Sequence, residues 1–166
     1  MSQRDRPPVK PQVRVIGGEW RGRKLSFPSK ISLRPTADRV RETLFNWLAP
    51  VVEGAHCLDV FAGSGALGIE ALSRGAQRCD FVDTDQDAID AIGQSLRSLG
   101  AHDRATLHKC AADKVLTEDA RWDIIFIDPP FEAGLGNGLL NRLAASQCLQ
   151  DDGLVYFETR RSAPEM

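Results

Sequence analysis

The sequence contains no long run of apolar residues, and this absence excludes a membrane-spanning chain. A helix needs about 20 apolar residues to cross a bilayer, and no run here approaches that length. Residues 1–8 also lack the apolar core of a signal peptide. We therefore expect a cytoplasmic protein that has no membrane partner.

Closely spaced cysteines are also missing. The four cysteines lie 22, 31 and 38 residues apart, and none belongs to a Cys-x-x-Cys motif; they are Cys57, Cys79, Cys110 and Cys148. This spacing favours reduced thiols in the core over a zinc site or a disulfide framework. We expect no bound metal.

The charge is distributed unevenly along a chain of ordinary soluble composition. The 166 residues suffice for one domain with a sizeable core, and no internal repeat is present. Residues 1–48 hold eleven Lys and Arg against four Asp and Glu, whereas residues 49–166 hold ten against nineteen. This asymmetry predicts a basic segment for an anionic partner. We predict a disordered basic arm over residues 1–12 and a single domain over 13–166. That domain comprises a basic hairpin and helix over 13–49 and a core over 55–166.

Two short strand patterns, residues 13–16 and 24–27, flank a glycine-rich turn and predict a hairpin. Its tip carries Arg21 and Arg23, which could pair with phosphates, and Trp20. An exposed tryptophan could stack on a base, or Trp20 could pack against the domain, and both readings remain open.

A helix is predicted after the hairpin, with Thr36 as its N-cap and Asp38 in its first turn. Pro50 is expected to end it. Its buried stripe is predicted to consist of Val40, Leu44, Phe45 and Leu48. Three basic residues around this helix are candidates for a binding site: Arg34, Arg39 and Arg41.

The next segment predicts a strand, a tight loop and a helix. Residues 57–61 (CLDVF) form an apolar strand, and Gly63, Gly65 and Gly68 match the G-x-G-x-x-G pattern of nucleotide-binding loops. Asp83 follows a second strand at 20 residues from Gly63, the distance expected for an acid that binds ribose hydroxyls. Asp85 is predicted to cap the following helix.

The remaining elements continue the alternation of strands and helices. Strands are predicted over residues 105–108, 124–127 and 153–159, and helices over 111–118 and 139–145. This order predicts an α/β fold with a doubly wound, mostly parallel, Rossmann-like sheet.

The strand over residues 124–127 ends in Asp128-Pro129-Pro130-Phe131. Two prolines stop a strand because they lack a backbone donor, and the first forces Asp128 into an extended conformation. A carboxylate, a carbonyl and an aromatic ring therefore meet at the carboxyl end of a strand, where open α/β sheets bind ligands.

Two classes of ligand could use the predicted ribose site. A nicotinamide dinucleotide explains the glycines and Asp83 but leaves residues 128–131 and the basic segment without a role. S-adenosylmethionine (SAM) also has an adenosine ribose, and it carries an ammonium group where the dinucleotide has a pyrophosphate. Asp59 suits the cationic ligand, because a carboxylate beside a pyrophosphate is repelled.

Four motifs in order resemble those of one family. Residues 59–65 (DVFAGSG) resemble the SAM-binding motif of class I methyltransferases, and residues 128–131 (DPPF) resemble the [DNS]-P-P-[YF] motif of enzymes that methylate exocyclic amines. Residues 14–23 and 33–48 are similar to the N-terminal signatures of the RsmD family, bacterial 16S rRNA (guanine-N2)-methyltransferases. The similarity extends over residues 14–159.

The resemblance implies a SAM-dependent methyltransferase sheet and assigns roles to the candidate residues. The residues implied in SAM binding are Asp59, Phe61, Ala62, Gly63, Ser64, Gly65, Asp83, Asp85, Ala112 and Asp128. Family members commonly have a polar residue near Ala112 to contact the adenine amine, and here either backbone atoms or Asp113 would take that role. The product would be S-adenosylhomocysteine.

The resemblance also implies a mechanism. Asp128 and the Pro129 carbonyl would accept the two N–H groups of a guanine amine, with Pro130 completing the turn and Phe131 stacking on the flipped base. The implied rRNA contacts are Arg21, Arg23, Arg34, Thr36, Arg39 and Arg41. The implied partner is 16S rRNA or the small ribosomal subunit, and we expect a monomer.

Two alternatives to guanine-N2 methylation of rRNA remain open. The same four-residue motif serves adenine-N6 methyltransferases of DNA or RNA, and an RNA-binding protein could keep a degenerate SAM fold. The family's sheet continues beyond the last predicted strand, so we expect strands six and seven to be absent here.

Overall fold

The computed structural model describes residues 10–29, 38–129 and 135–158, with only the backbone of residues 135 and 136. These residues contain seven strands and four α-helices. In chain order they are β1 (Gln12–Arg14), β2 (Lys24–Ser26), α1 (Asp38–Val52), β3 (His56–Val60), α2 (Ala66–Ser73), β4 (Arg78–Asp83), α3 (Gln86–Ser98), β5 (Ala105–Lys109), β6 (Trp122–Ile127), α4 (Leu135–Ala145) and β7 (Leu149–Phe157).

The central sheet is parallel and has the strand order β5-β4-β3-β6-β7. The chain therefore starts in the middle, winds outward to β5, and then returns to the other side of β3. This reversal creates a topological switch point between β3 and β6, where the carboxyl ends of the strands leave a crevice. The predicted α/β, Rossmann-like sheet is confirmed.

The prediction that strands six and seven are absent is wrong. The described residues contain seven strands, and the sixth and seventh, β6 and β7, are hydrogen-bonded neighbours in the parallel sheet. The prediction counted strands from β3 and omitted the hairpin strands β1 and β2, which form a separate antiparallel pair.

The sheet is apolar on both faces, as expected for parallel strands covered by helices. One face packs Phe81 and Phe126 against α1, α2 and α3. The other packs Val60 and Ile127 against Leu139 and Leu143 of α4. Among the described residues, none of the helices is both long and apolar enough to cross a membrane.

Helix α1 differs from the prediction in two ways. It continues through Pro50 to Val52, because a proline in the last turn loses only one helical hydrogen bond. Val40 is 44% exposed, and Arg41 takes the predicted place in the buried stripe with an exposure of 1%. Arg41 donates hydrogen bonds to the carbonyl of Arg14 (2.9 Å) and to Asp38 Oδ1 (2.7 Å), so it attaches the hairpin to α1.

Three later boundaries also differ from the prediction. The helix predicted over 111–118 is only a 3-10 turn, Ala112–Val115. Helix α4 begins four residues earlier than expected, and β7 begins at Leu149, with a register shift near its start.

The hairpin β1–β2 is held on α2 by buried polar groups. Glu70 accepts from the backbone N–H of Ile16 at 2.8 Å, and burial raises the pKa of its carboxyl. Ser73 accepts from the N–H of Trp20 at 3.0 Å and donates to the carbonyl of Gly17 at 2.6 Å. The Trp20 side chain is 6% exposed, and Arg104 stacks over its ring. Of the two readings of Trp20, the structure supports packing against the domain.

Helix α2 lies very close to β4, and Gly68 makes this possible. A Cβ built on Gly68 would lie 2.4 Å from Phe81 Cε1 and 2.7 Å from Cys79 Sγ. Both neighbours are buried and have little room to move. Gly68 therefore fixes the distance between α2 and the sheet.

Replacing this glycine is expected to destabilise the protein. Gly68→Ala should lower the free energy of unfolding by about 1–3 kcal/mol, because the added methyl group overlaps the Phe81 ring. Urea denaturation measures this change. The matched control is Gly138→Ala in α4, where a Cβ meets no atom within 4 Å, and it should raise stability by about 0.4–1 kcal/mol. Equal effects of the two substitutions would contradict the packing argument.

Candidate active site

The register of the sheet brings acidic residues to one edge. Val60 pairs with Val82 and with Ile127, and Ile127 pairs with Phe157. On β5, Lys109 pairs with Asp83. The next position on each of the other four strands is at the same level, and three of these four positions carry a carboxylate. The four are Asp83, Phe61, Asp128 and Glu158. The candidate site lies at this edge, on both sides of the switch point.

The loop after β3 is a tight turn with several unusual backbone angles. Gly63 and Gly65 have φ of 57° and 78°, and Phe61 has φ of 57°, where a residue with a side chain rarely lies. Ala62 N–H donates to the carbonyl of Val82 at 2.9 Å, which ties the loop to β4. Backbone strain of this kind is concentrated at ligand sites. Ser64, also predicted to bind the cofactor, is 6% exposed in this loop.

Asp59 lies beneath this loop as a buried support. It is 2% exposed, and its Oδ2 accepts from the N–H of Gly68 at 3.0 Å. Burial raises the pKa of its carboxyl well above the usual range, and the charges of Asp128 and Asp83 raise it further. The three carboxylates therefore repel one another, and a cationic ligand would relieve this repulsion.

Asp83 connects the two loops that flank β4. Its Oδ2 accepts from the N–H of Gly63 and its Oδ1 from the N–H of Asp85, both at 2.9 Å. Each carboxylate oxygen can accept a second hydrogen bond, so both can still receive a ligand hydroxyl. Asp85 accepts from the N–H of Asp87 and caps α3, as predicted from the sequence.

The stretch after β5 lies beside Asp83. The N–H of Cys110 donates to the carbonyl of Asp83 at 3.1 Å. Ala112 opens the 3-10 turn and packs on the core under α4. Asp113 forms an ion pair with Arg142 at 3.4 Å.

Asp128 follows the buried end of β6, and both it and Pro129 are half-buried. Two residues that the sequence analysis did not single out lie beside Asp128. They are Tyr156 in β7 and Glu158 directly after this strand. The N–H of Glu158 donates to the carbonyl of Ile127 at 2.9 Å, and Tyr156 donates from its hydroxyl to Glu158 Oε2 at 3.4 Å. Glu158 lay inside the strand predicted over residues 153–159, so no signal at a strand end indicated it, and only the observed end of β7 at Phe157 shows its position.

The candidate basic residues divide between the two ends of the molecule. Arg21 and Arg23 are exposed near the C-terminal ends of α2 and α3, since Trp20 contacts Ser73 and Arg23 donates to Ser98. Both helices run away from the carboxyl edge, so this hairpin tip lies at the end opposite to Asp128. Arg39 is exposed in the first turn of α1.

Helix α1 runs in the same direction as α2, and the two helices end close together, where the N–H of Gly54 donates to the carbonyl of Gly75 at 2.8 Å. Helix α1 ends beside the start of β3, and Phe45 near its middle packs on Phe126 with ring centroids 5.8 Å apart. Its first turn, with Arg39, therefore lies toward the edge that carries Asp128. Arg41 is buried and unavailable to an RNA surface. Four candidates, Arg34, Thr36, Pro130 and Phe131, lie outside the described residues.

The chemistry of these residues suits a ligand that combines hydroxyls with positive charge. Asp83 is placed for hydroxyls, and Asp59 and Asp128 make the crevice negative, so the site fits SAM better than a pyrophosphate. Within residues 10–29, 38–129 and 135–158, no three His, Cys, Asp or Glu side chains are placed so that they could hold one metal ion together.

A family model described as Conserved hypothetical protein 95 matches residues 13–166. The chain belongs to the RsmD family. The resemblance inferred from the sequence motifs is thereby confirmed.

Several relatives are similar in sequence to this RsmD-family chain over most of its length. Ribosomal RNA small subunit methyltransferase D of Escherichia coli strain K12 is 46% identical over 148 residues, which cover 89% of this chain and 75% of the relative. The protein of the same name from Haemophilus influenzae is 39% identical over 162 residues, covering 95% and 84%. The solved structure of the Escherichia coli protein yhhF, 46% identical, matches with a TM-score of 0.84 and covers 92% of this chain and 83% of that one.

The buried Asp59 is expected to make stability depend on pH. The pKa of this carboxyl is raised in the folded state, so the folded protein keeps a proton that the unfolded chain has already lost. The free energy of unfolding should therefore fall as pH rises through this window, by up to about 1.4 kcal/mol per pH unit from this group.

Asp59→Asn should remove this contribution while its amide oxygen still accepts from Gly68. Urea denaturation at several pH values above about 4, the unfolded pKa of aspartate, should show a shallower decline than in the wild type. Asp119→Asn, in an exposed turn, should leave the decline unchanged. A variant at Asp59 with the wild-type slope would contradict the assignment.

Proposed function

We propose that this protein transfers a methyl group from SAM to the exocyclic N2 of a specific guanine in 16S rRNA of the small ribosomal subunit. The observation that carries this proposal is the placement of Asp128 at the switch point, in the same row as Asp83 and above Asp59. The names of the relatives, ribosomal RNA small subunit methyltransferase D, support the rRNA substrate.

The loop after β3 and the residue after β4 would hold the methyl donor. The loop over residues 61–65 would lie against the methionine part, and Asp83 would bind the ribose hydroxyls. Asp59 would lie beneath the ammonium group, whose positive charge would favour the ionised form of this buried carboxyl. Ala112 or the neighbouring Asp113 would lie near the adenine. When bound, SAM supplies an electrophilic methyl group on a sulfonium.

Asp128 would act on the amine that receives the methyl group. A guanine amine is a poor nucleophile because its lone pair is delocalised into the ring. Asp128 and the Pro129 carbonyl would each accept one N–H, which favours a pyramidal nitrogen with its lone pair directed at the methyl carbon. The C–S bond breaks as the C–N bond forms, and S-adenosylhomocysteine leaves as a neutral thioether. The nitrogen then loses one proton, either to Asp128 or to water.

The rRNA would approach over the first turn of α1. Arg39 is exposed there, and the proposed contacts Arg34 and Thr36 immediately precede this helix in sequence. Arg21 and Arg23 at the hairpin tip could contact only RNA that extends to the opposite end of the domain. Pro130 and Phe131 would complete the base pocket, with the ring stacking on the flipped guanine.

The reaction can be tested with labelled SAM and unmodified small-subunit rRNA or subunits. We expect label on the N2 of one guanine, located by digestion and mass analysis. Label on adenine N6 would support the alternative enzyme class, and absence of label with retained RNA binding would support a degenerate SAM fold.

Replacing the catalytic carboxylate should separate catalysis from cofactor binding. Asp128→Ala should lower kcat by about 10²–10⁴-fold, since it removes an acceptor aligned with the amine. SAM affinity, measured by calorimetry, should fall much less than kcat. Asp119→Ala is the control, because Asp119 is exposed in the turn before β6, at the opposite end of this strand from Asp128, and it should leave both unchanged. An Asp128→Ala enzyme with wild-type kcat would refute the role of Asp128.

A further inference from the structure

Glu158 is a second carboxylate beside Asp128, and the proposed methyl transfer gives it no role. It is the first residue after β7, and its N–H donates to the carbonyl of Ile127, the residue before Asp128. Adjacent strands lie about 4.8 Å apart, so the two side chains leave the sheet as neighbours. They also point to the same side, because Ile127 and Phe157 are register partners.

The Glu158 carboxylate is held in place by Tyr156. The Tyr156 hydroxyl donates to Glu158 Oε2 at 3.4 Å, and both residues are half-buried. Burial raises the pKa of this phenol to about 12, and the charges of Glu158 and Asp128 contribute. The phenol therefore stays protonated and keeps donating. The hydrogen bond from Tyr156 uses Oε2, so Oε1 of Glu158 can accept from a ligand.

Two neighbouring carboxylates match one base edge and oppose another. Guanine presents its N2 amine next to the N1–H, so two donors lie side by side. Adenine presents its N6 amine next to N1, which is an acceptor. A carboxylate beside the one that holds the amine would bind guanine N1–H and would repel the lone pair of adenine N1.

We propose that Glu158 is a specificity-determining residue that accepts the N1–H of the target guanine while Asp128 accepts from its N2 amine. Tyr156 is a positioning residue, because it acts through Glu158. This inference rests on the proposed function and adds the reason for choosing guanine. It uses only contacts at the ends of β6 and β7.

The test compares guanine with 2-aminopurine at the methylated position of the rRNA. 2-Aminopurine keeps the exocyclic amine at C2 but has an unprotonated N1. The modified position is first mapped with the wild-type enzyme, and the analogue is then introduced there by ligation of RNA fragments. The measurement is kcat/KM for each base with the wild type and with Glu158→Gln.

The wild type should strongly prefer guanine, and Glu158→Gln should lower this preference by roughly 10- to 100-fold, the value of a charge-assisted hydrogen bond. Most of the loss should be in methylation of guanine, because the glutamine amide can donate to N1 of 2-aminopurine. Tyr156→Phe should lower the preference in the same direction by less. Glu118→Gln, an exposed residue, is the matched control and should change nothing.

An unchanged preference in Glu158→Gln, or an equal loss for both bases, would overturn the proposal. SAM affinity measured by calorimetry shows whether Glu158→Gln is folded. If it is not, Tyr156→Phe tests the same contact, and an unchanged preference in Tyr156→Phe would then overturn the proposal. Failure of the proposed function would look different, since the wild type itself would then place no methyl group on guanine.

Discussion

The arrangement of the site depends on the close packing of α2 against the sheet. Gly68 allows that packing because it has no side chain, and its N–H is held by the buried carboxylate of Asp59. The N-terminal end of α2 then fixes the loop over residues 61–65, while Glu70 and Ser73 farther along fix the hairpin. One short helix thus positions both the ligand loop and the N-terminal extension, and a shift of α2 would move both.

The polar groups around α2 are costly to bury, and their hydrogen bonds explain why they are tolerated. Glu70 is fully buried, but it accepts from the backbone of Ile16 and lies within 3.8 Å of Arg74. Asp59 accepts a hydrogen bond from the Gly68 amide, but the charges of Asp128 and Asp83 oppose its ionisation. A carboxylate in this position lowers stability near neutral pH, which is typical of a group kept for function.

Sequence patterns predicted the elements that depend on local chemistry. The tight loop before α2, the Asp85 cap and the alternation of strands and helices were all confirmed by the structure. Features that depend on tertiary packing were missed. Arg41 was a candidate contact for the RNA, but it is buried and pairs with Asp38 and a hairpin carbonyl. Glu158 was missed because its proximity to Asp128 arises only from the register of β6 and β7.

The distribution of charge sets how a polyanion can reach this site. The edge that would receive the base carries Asp83, Asp128 and Glu158, so a phosphate backbone lying directly over it would be repelled. A nucleobase has no net charge and presents N–H donors, so it can enter where the phosphates cannot. Arg39, exposed in the first turn of α1, lies toward the same edge and can hold the backbone at its rim. In the proposed reaction, this separation would favour a base that is turned out of its stack, and the two carboxylates at the ends of β6 and β7 would then favour the base with two adjacent donors.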